Sequence, residues 1–204
     1  IFNLNQFYFI YFLDYIYNMD LIYLTNDKEI DMLIMTQYIS MLEIKSGTNR
    51  KKQCRQGGSM LYGVTWRGYL STEKDTGKKI NRTKNPNGNG FLTQSKVKYP
   101  WFGDLCKEFT KLYCNDFKWS QIMINENYSI GWHYDKKNVG LSYLVTFGDY
   151  EGGLTELEIE TEDDTKIKFP LNTYHSPLCF NGSQIKHRCM PFKGKRYALV
   201  FFNN

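Results

Sequence analysis

Between Trp119 and Phe202 the chain runs through short β-favouring segments cut apart by turns, and no other feature narrows the possible folds as much. The segments are Trp119–Asn125, Tyr128–Asp135, Ser142–Phe147, Leu154–Glu160, Thr165–Phe169, Pro177–Phe180, Ile185–Met190 and Arg196–Phe202. Turn signals fall between them at Val139-Gly140, Gly148-Asp149, Glu151-Gly152-Gly153, Asn181-Gly182 and Lys193-Gly194. Many short, evenly spaced strands predict a sandwich or barrel, and for eight of them the architecture is a jelly roll. The 16 Tyr, 14 Phe and 4 Trp suit a strand-rich interior.

Upstream of this run the period changes. After Asn26 or Asp27 as N-cap, Ile30, Leu33, Ile34, Tyr38, Met41 and Leu42 recur at helical spacing, predicting one amphipathic helix from Asp27 to about Lys45 with these residues inward. A second helix is predicted from Pro100 to about Cys114, its stripe formed by Leu105, Phe109, Leu112 and Tyr113. A strand is expected at Leu61–Leu70. The fold class is therefore mainly β (α+β), with supporting N-terminal helices in residues 19–118 packed on a core of residues 119–204. At 204 residues this makes one domain. Residues 1–18 precede the first methionine and contain no Lys, no Arg and no small-residue cleavage site. They read as a non-native or disordered leader, the alternative being an aromatic first strand, and not as a signal peptide.

Charge is unevenly spread. The net charge of +5 combines a segment from Lys45 to Lys98 with a balance of +11 and a remainder of −6, and Asp149–Asp164 is wholly acidic in its charged residues. A basic stretch of that density predicts a polyanionic partner, with DNA the expected one, and Lys51, Lys52 and Arg55 are its densest cluster. It also has the composition of a solvated loop, and the two readings are compatible. Five cysteines without a C-x-x-C pair argue against a disulfide framework or thiolate zinc site and fit a reducing, intracellular compartment, nuclear or cytoplasmic. No apolar run approaches the roughly 20 residues of a spanning helix, so no membrane role is expected, and a monomer is anticipated.

Only three histidines occur, and two fall where a metal would want them. His133 and Asp135 form an H-x-D pair in a strand-like segment, whose two-residue period directs both side chains to one face. His187 follows in a later segment. Two imidazoles and one carboxylate make a facial triad for Fe(II), leaving positions open for a bidentate co-substrate and O2. Arg196 heads the last strand, where alternation groups it with Ala198, Val200 and Phe202; its planar fork suits the distal carboxylate of a dicarboxylate such as 2-oxoglutarate.

GWHYDKKNVGLSYLVTFGDYEGGLTELEI and FNGSQIKHRCMPFKGKRYALVFF resemble the double-stranded β-helix core of the Fe(II)- and 2-oxoglutarate-dependent dioxygenases. Within them the resemblance is strongest to the methylpyrimidine dioxygenases, the TET/JBP group of TET enzymes and thymine hydroxylases of base J synthesis. It covers Trp119–Phe202. It implies that His133, Asp135 and His187 bind iron, and that Arg196, with Asn125, Tyr128 and Ser142, binds 2-oxoglutarate. It further implies that Asn138 faces a target base, with Trp132 and Tyr134 beside it. The implied reaction is hydroxylation of the methyl group of 5-methylcytosine or thymine, with release of succinate and CO2. Ala198 departs from the polar residue that several nucleic-acid dioxygenases carry there. The same motifs also fit peptidyl prolyl hydroxylases, and alkylated-base repair is a neighbouring alternative.

Overall fold

The computed structural model describes residues 24–45, 57–72 and 79–204. The leader reading of residues 1–18, the cluster Lys51, Lys52 and Arg55, and Cys54 lie outside the described residues.

Three helices and eleven strands follow in chain order: α1 (Lys28–Ser40), β1 (Gly58–Thr65), β2 (Tyr69–Thr72), β3 (Lys79–Asn81), β4 (Phe91–Leu92), α2 (Gln94–Lys98), α3 (Pro100–Tyr113), β5 (Gln121–Glu126), β6 (Val139–Gly152), β7 (Thr155–Glu160), β8 (Lys166–Leu171), β9 (Leu178–Phe180), β10 (Lys186–Cys189) and β11 (Phe192–Asn203). The major sheet has the order β4-β1-β5-β11-β6-β9, the minor sheet β10-β7-β8, and β2 and β3 form a separate hairpin. Non-consecutive neighbours and antiparallel pairing throughout make this the two-sheet, mainly β architecture expected of a double-stranded β-helix.

The spine is β11, which pairs with β5 on one side and with β6 on the other. Its alternation separates two environments. Tyr197, Leu199 and Phe201 face the helices, where they join Ile122, Ile124, Val145 and Phe147 from neighbouring strands and Phe102, Leu105 and Phe109 from α3 in the main core. Arg196, Ala198, Val200 and Phe202 face the opposite way, into the space between the sheets. Phe109 bridges helix and sheet by stacking on Phe201, with ring centroids 6.1 Å apart.

Both long helices occur where their periodicity places them, but α1 buries a different stripe. Asp27 caps it by accepting from the N–H groups of Glu29 and Ile30. Met32, Met35 and Ile39 are fully buried, whereas Leu33 is 66% exposed and Ile30 and Met41 are also exposed. The inward face is fixed by Asp31, which is fully buried and accepts hydrogen bonds from the Thr25 backbone and hydroxyl and from Tyr113 Oη. That polar anchor rotates the helix away from its most apolar-looking side.

Two strand expectations also change. The Leu61–Leu70 strand is broken at Trp66–Gly68 into β1 and β2. Tyr128–Asp135 is not a strand. Its ladder is reduced to one bridge, His133 with His187, because the chain turns again at Asp135, whose carbonyl accepts from Asn138 N–H. That bridge nevertheless sets His133 beside β10 as an outermost addition to the minor sheet. The four described cysteines, Cys106, Cys114, Cys179 and Cys189, are free thiols. No helix among the described residues is long and apolar enough to cross a membrane.

Candidate active site

A cavity of about 320 Å³ opens between the two sheets. The major sheet contributes Met123 and Asn125 from β5, Leu144 from β6, and Arg196, Ala198, Val200 and Phe202 from β11; the minor sheet contributes Thr155 and His187. The segment between β5 and β6 adds Tyr128, Ile130, His133, Asp135 and Asn138.

At one end His133, Asp135 and His187 bring three donor atoms within 4.8 Å of one another. His133 Nε2 lies 3.6 Å from Asp135 Oδ1, and His187 Nε2 lies 3.7 Å from Asp135 Oδ2. Each imidazole is oriented from behind. His133 Nδ1 is 2.8 Å from the Gly131 carbonyl, and His187 Nδ1 is 2.9 Å from the Ile185 carbonyl. A carbonyl only accepts, so both Nδ1 atoms carry the proton and both Nε2 lone pairs face the carboxylate. Burial, and then the neighbouring His187, lower the pKa of His133, which favours the neutral, ligating ring.

The backbone holds this geometry with few bonds. His133 and His187 exchange N–H···O=C bonds of 3.0 Å, and Asp135 N–H donates to the Gly182 carbonyl at 2.8 Å. Gly182 sits so close that a Cβ there would come within 3.3 Å of Asp135 Oδ2 and 3.5 Å of His187 Cε1. Phe180 presents an edge to the His187 ring at 4.9 Å.

At the other end Arg196 is 3% exposed, and its Nε has no hydrogen-bond partner. No carboxylate among the described residues pairs with it. Its guanidinium lies 5.5 Å from the ring centroids of both Tyr150 and Phe192. Gly153 makes room for it, since a Cβ at that position would meet Arg196 Nε at 2.9 Å. Asn127 Oδ1 accepts the Arg196 backbone N–H at 2.9 Å, pinning β11 at the point where it passes from exposed to buried. The buried Asn125 Oδ1 also lacks a partner. A buried permanent cation without an anion is costly, so the cavity is built to receive one.

The donor set fits a divalent first-row ion. Two neutral imidazoles and one carboxylate leave coordination positions free, and the unpaired Arg196 answers a carboxylate carried on a ligand of that ion.

Of the other residues singled out in the sequence, Asn125, Tyr128 and Asn138 line the cavity. Ser142 is fully buried and does not line it; its Oγ lies 3.3 Å from Asn138 Nδ2, which also reaches Asp135 Oδ2 at 3.4 Å. Trp132 points to the outer side of the minor sheet, where Arg188, Lys168 and Lys186 surround its ring at 4.7–5.6 Å. Tyr134 is 43% exposed and also lies off the cavity. Sequence reasoning does not find Thr155, Asn127, Tyr150 or Phe192. Only the Gly152-Gly153 turn hints at the space Arg196 requires.

No protein-family model and no curated protein matches the chain. Among solved structures, an oxidoreductase of the 2OG-Fe(II) oxygenase family from Burkholderia pseudomallei matches with a TM-score of 0.50 and 14% identity, over 84% of this chain and 76% of its own. A Pseudomonas putida prolyl-4-hydroxylase matches over 88% of this chain and 87% of its own, with a TM-score of 0.44 and 9% identity. NgTET1 in complex with 5mC DNA matches over 85% of this chain and 67% of its own, with a TM-score of 0.44 and 15% identity. These likenesses give no preference for the TET/JBP group over other oxygenases of this architecture. The chain has the double-stranded β-helix fold found in 2-oxoglutarate and Fe(II) oxygenases, and within it carries a His133–Asp135–His187 triad.

Proposed function

We propose that the protein is an Fe(II)- and 2-oxoglutarate-dependent oxygenase. The observation that carries this reading is the two-ended cavity, with a divalent-metal donor set at one end and a buried, anion-seeking guanidinium at the other. His133, Asp135 and His187 would hold Fe(II), and Arg196 the distal carboxylate of 2-oxoglutarate. Together with O2, these groups supply oxidative decarboxylation of 2-oxoglutarate to succinate and CO2, coupled to hydroxylation of a substrate C–H bond.

The chain's own residues bind, orient and exclude water. The Gly131 and Ile185 carbonyls keep both imidazoles in the ligating tautomer. Asn138, braced by Ser142, steadies the Asp135 carboxylate and stands at the cavity wall where a substrate would arrive. Ala198, Val200, Leu144 and Phe180 form an apolar wall that keeps bulk water from the reacting region.

The substrate class proposed is nucleic acid, with the methyl group of 5-methylcytosine or thymine as the target. Support comes from the basic segment and from a second, wider pocket of about 720 Å³ lined by Lys45, Arg82 and Lys98. Arg82 has a lowered pKa through burial and the nearby charge of Arg67, a sign of concentrated positive potential. A duplex base would have to be flipped out to reach the cavity.

The test is anaerobic loading with Fe(II) and 2-oxoglutarate, then O2 and methylated DNA, with mass analysis of nucleosides and assay of succinate. A hydroxymethyl nucleoside with equimolar succinate is the expected result. Succinate without a modified base would overturn the substrate assignment in favour of a peptidyl hydroxylase, and absence of succinate would overturn the activity. Neutralising Lys51, Lys52 and Arg55 should flatten the salt dependence of DNA binding, the logarithmic slope falling by about 1 for each phosphate left unneutralised.

A further inference from the structure

A line of buried hydroxyls runs from the cavity to the side of the molecule where Arg196 is seated. Thr155 lines the cavity. Its Oγ1 is 3.3 Å from Thr173 Oγ1, which is 3.2 Å from Thr146 Oγ1, which in turn is 2.6 Å from Tyr150 Oη. Thr146, Thr155 and Thr173 are each at most 2% exposed. Three separate stretches build this line: β6 supplies Thr146 and Tyr150, β7 supplies Thr155, and the 172–176 loop supplies Thr173. Backbone bonds fix the loop to β6, from Thr146 N–H to the Thr173 carbonyl at 2.9 Å and from His175 N–H to the Thr146 carbonyl at 3.0 Å. Such a network is expensive to bury unless every member is satisfied, and Thr155 is the member that opens on the cavity.

Each hydroxyl has one proton to donate, so the chain has a single direction at any time. If Thr155 donates into the cavity, it accepts from Thr173, Thr173 accepts from Thr146, and Thr146 accepts from Tyr150. The short Tyr150–Thr146 contact suits the phenol as the starting donor. The ring of Tyr150 is also one of the two against which the Arg196 guanidinium lies. One tyrosine therefore supports both the cation and the far end of the hydroxyl line.

Resting on the oxygenase reading above, we infer that Thr155 is a second anchor for the distal carboxylate of 2-oxoglutarate, and that Thr173, Thr146 and Tyr150 are positioning residues that align and polarise its hydroxyl. A carboxylate accepting from Thr155 draws all four protons the same way, and successive polarisation strengthens the last bond beyond that of an isolated hydroxyl. Residues that do not touch the ligand thus contribute to its affinity.

The experiment is calorimetric titration of 2-oxoglutarate into full-length protein loaded with Mn(II), which needs no turnover, with metal affinity measured separately. Thr155→Val, Thr173→Val and Tyr150→Phe should each weaken 2-oxoglutarate binding by about 3- to 10-fold while leaving Mn(II) affinity unchanged. Thr155→Ser and Thr173→Ser keep the hydroxyl and should restore binding, which separates hydrogen bonding from packing. Tyr150→Phe retains the ring under Arg196 and so isolates the remote hydroxyl. Parent-like affinity in all three hydroxyl-deleted variants, or equal loss in the serine variants, overturns the relay while leaving the oxygenase reading in place. Failure of the metal-loaded parent to bind 2-oxoglutarate removes both.

Discussion

The six-stranded sheet is covered on both sides, by the helices on one face and by the minor sheet on the other, and its helix-facing core is dense with aromatics. The three-stranded sheet is covered only on its inner face. Its outer face carries Lys168, Glu158 and Lys186 in one cross-strand row and Glu156 with Arg188 in the next, roofed by the Trp132 ring. Both sheets donate to the cavity, but differently. The major sheet supplies Arg196 from its best-supported strand; the minor sheet and its flanking segment supply the histidines and Asp135. Rigidity and chemistry are thus unequally shared, with the metal ligands on the thinner layer.

That contrast is most sharply tested at Asp135. Asp135→Ala should remove metal binding and reduce iron-dependent succinate release by at least about 100-fold, without lowering the melting temperature of the metal-free protein. A large loss of stability in that variant would break the separation. Phe201→Ala, in the major sheet, should do the reverse, costing about 3–5 kcal/mol in chemical denaturation while the surviving folded fraction binds metal normally.

A smaller effect is expected at Gly153, whose φ of +65° and proximity to Arg196 leave no place for a side chain. Gly153→Ala should cost about 1–2 kcal/mol and raise the dissociation constant for 2-oxoglutarate. On the outer face, Glu156→Gln leaves Arg188 without its charged partner and should cost about 1 kcal/mol or less, because Arg188 is partly solvated. Denaturant midpoints should rank Phe201→Ala, Gly153→Ala and Glu156→Gln in that order.

The smallest effect concerns pH. His133 titrates below the ordinary imidazole range when folded. Below about pH 6.5 the unfolded chain therefore takes up a proton that the folded site resists, and metal-free stability should decline from there downward until His133 itself protonates. Melting temperatures between pH 7.5 and 5.5 measure this, and His133→Gln should flatten the slope.

Much of this contrast is readable in the sequence where it depends on alternation. Arg196, Ala198, Val200 and Phe202 share a face because β11 is regular, and the H-x-D…H spacing identifies the ligands. The reasons behind that spacing are less legible. His133 and Asp135 meet through one bridge and a turn and not through a strand, a distinction that periodicity cannot register. Apolar spacing at Ile30 and Leu33 points to the wrong stripe of α1 because it gives no weight to the buried Asp31. The hydroxyl line is invisible in the sequence because Thr146, Thr155 and Thr173 stand on three separate stretches, and nothing local marks them as neighbours. Trp132 has the character of a stacking surface, yet its ring is occupied by the protein's own cations.

The lone bridge between His133 and His187 has a consequence for how this molecule ages. Two backbone bonds are all that join that outer segment to the rest of the minor sheet at this point, and they close a chain excursion of more than fifty residues. An ion gripped from both sides would act as a rivet across that seam, removing part of the loop's freedom in the open state. Loss of the ion should then show as faster amide exchange at His133 and His187 before any change in the helix-backed sheet. Wear would begin at the rivet, with the frame still sound.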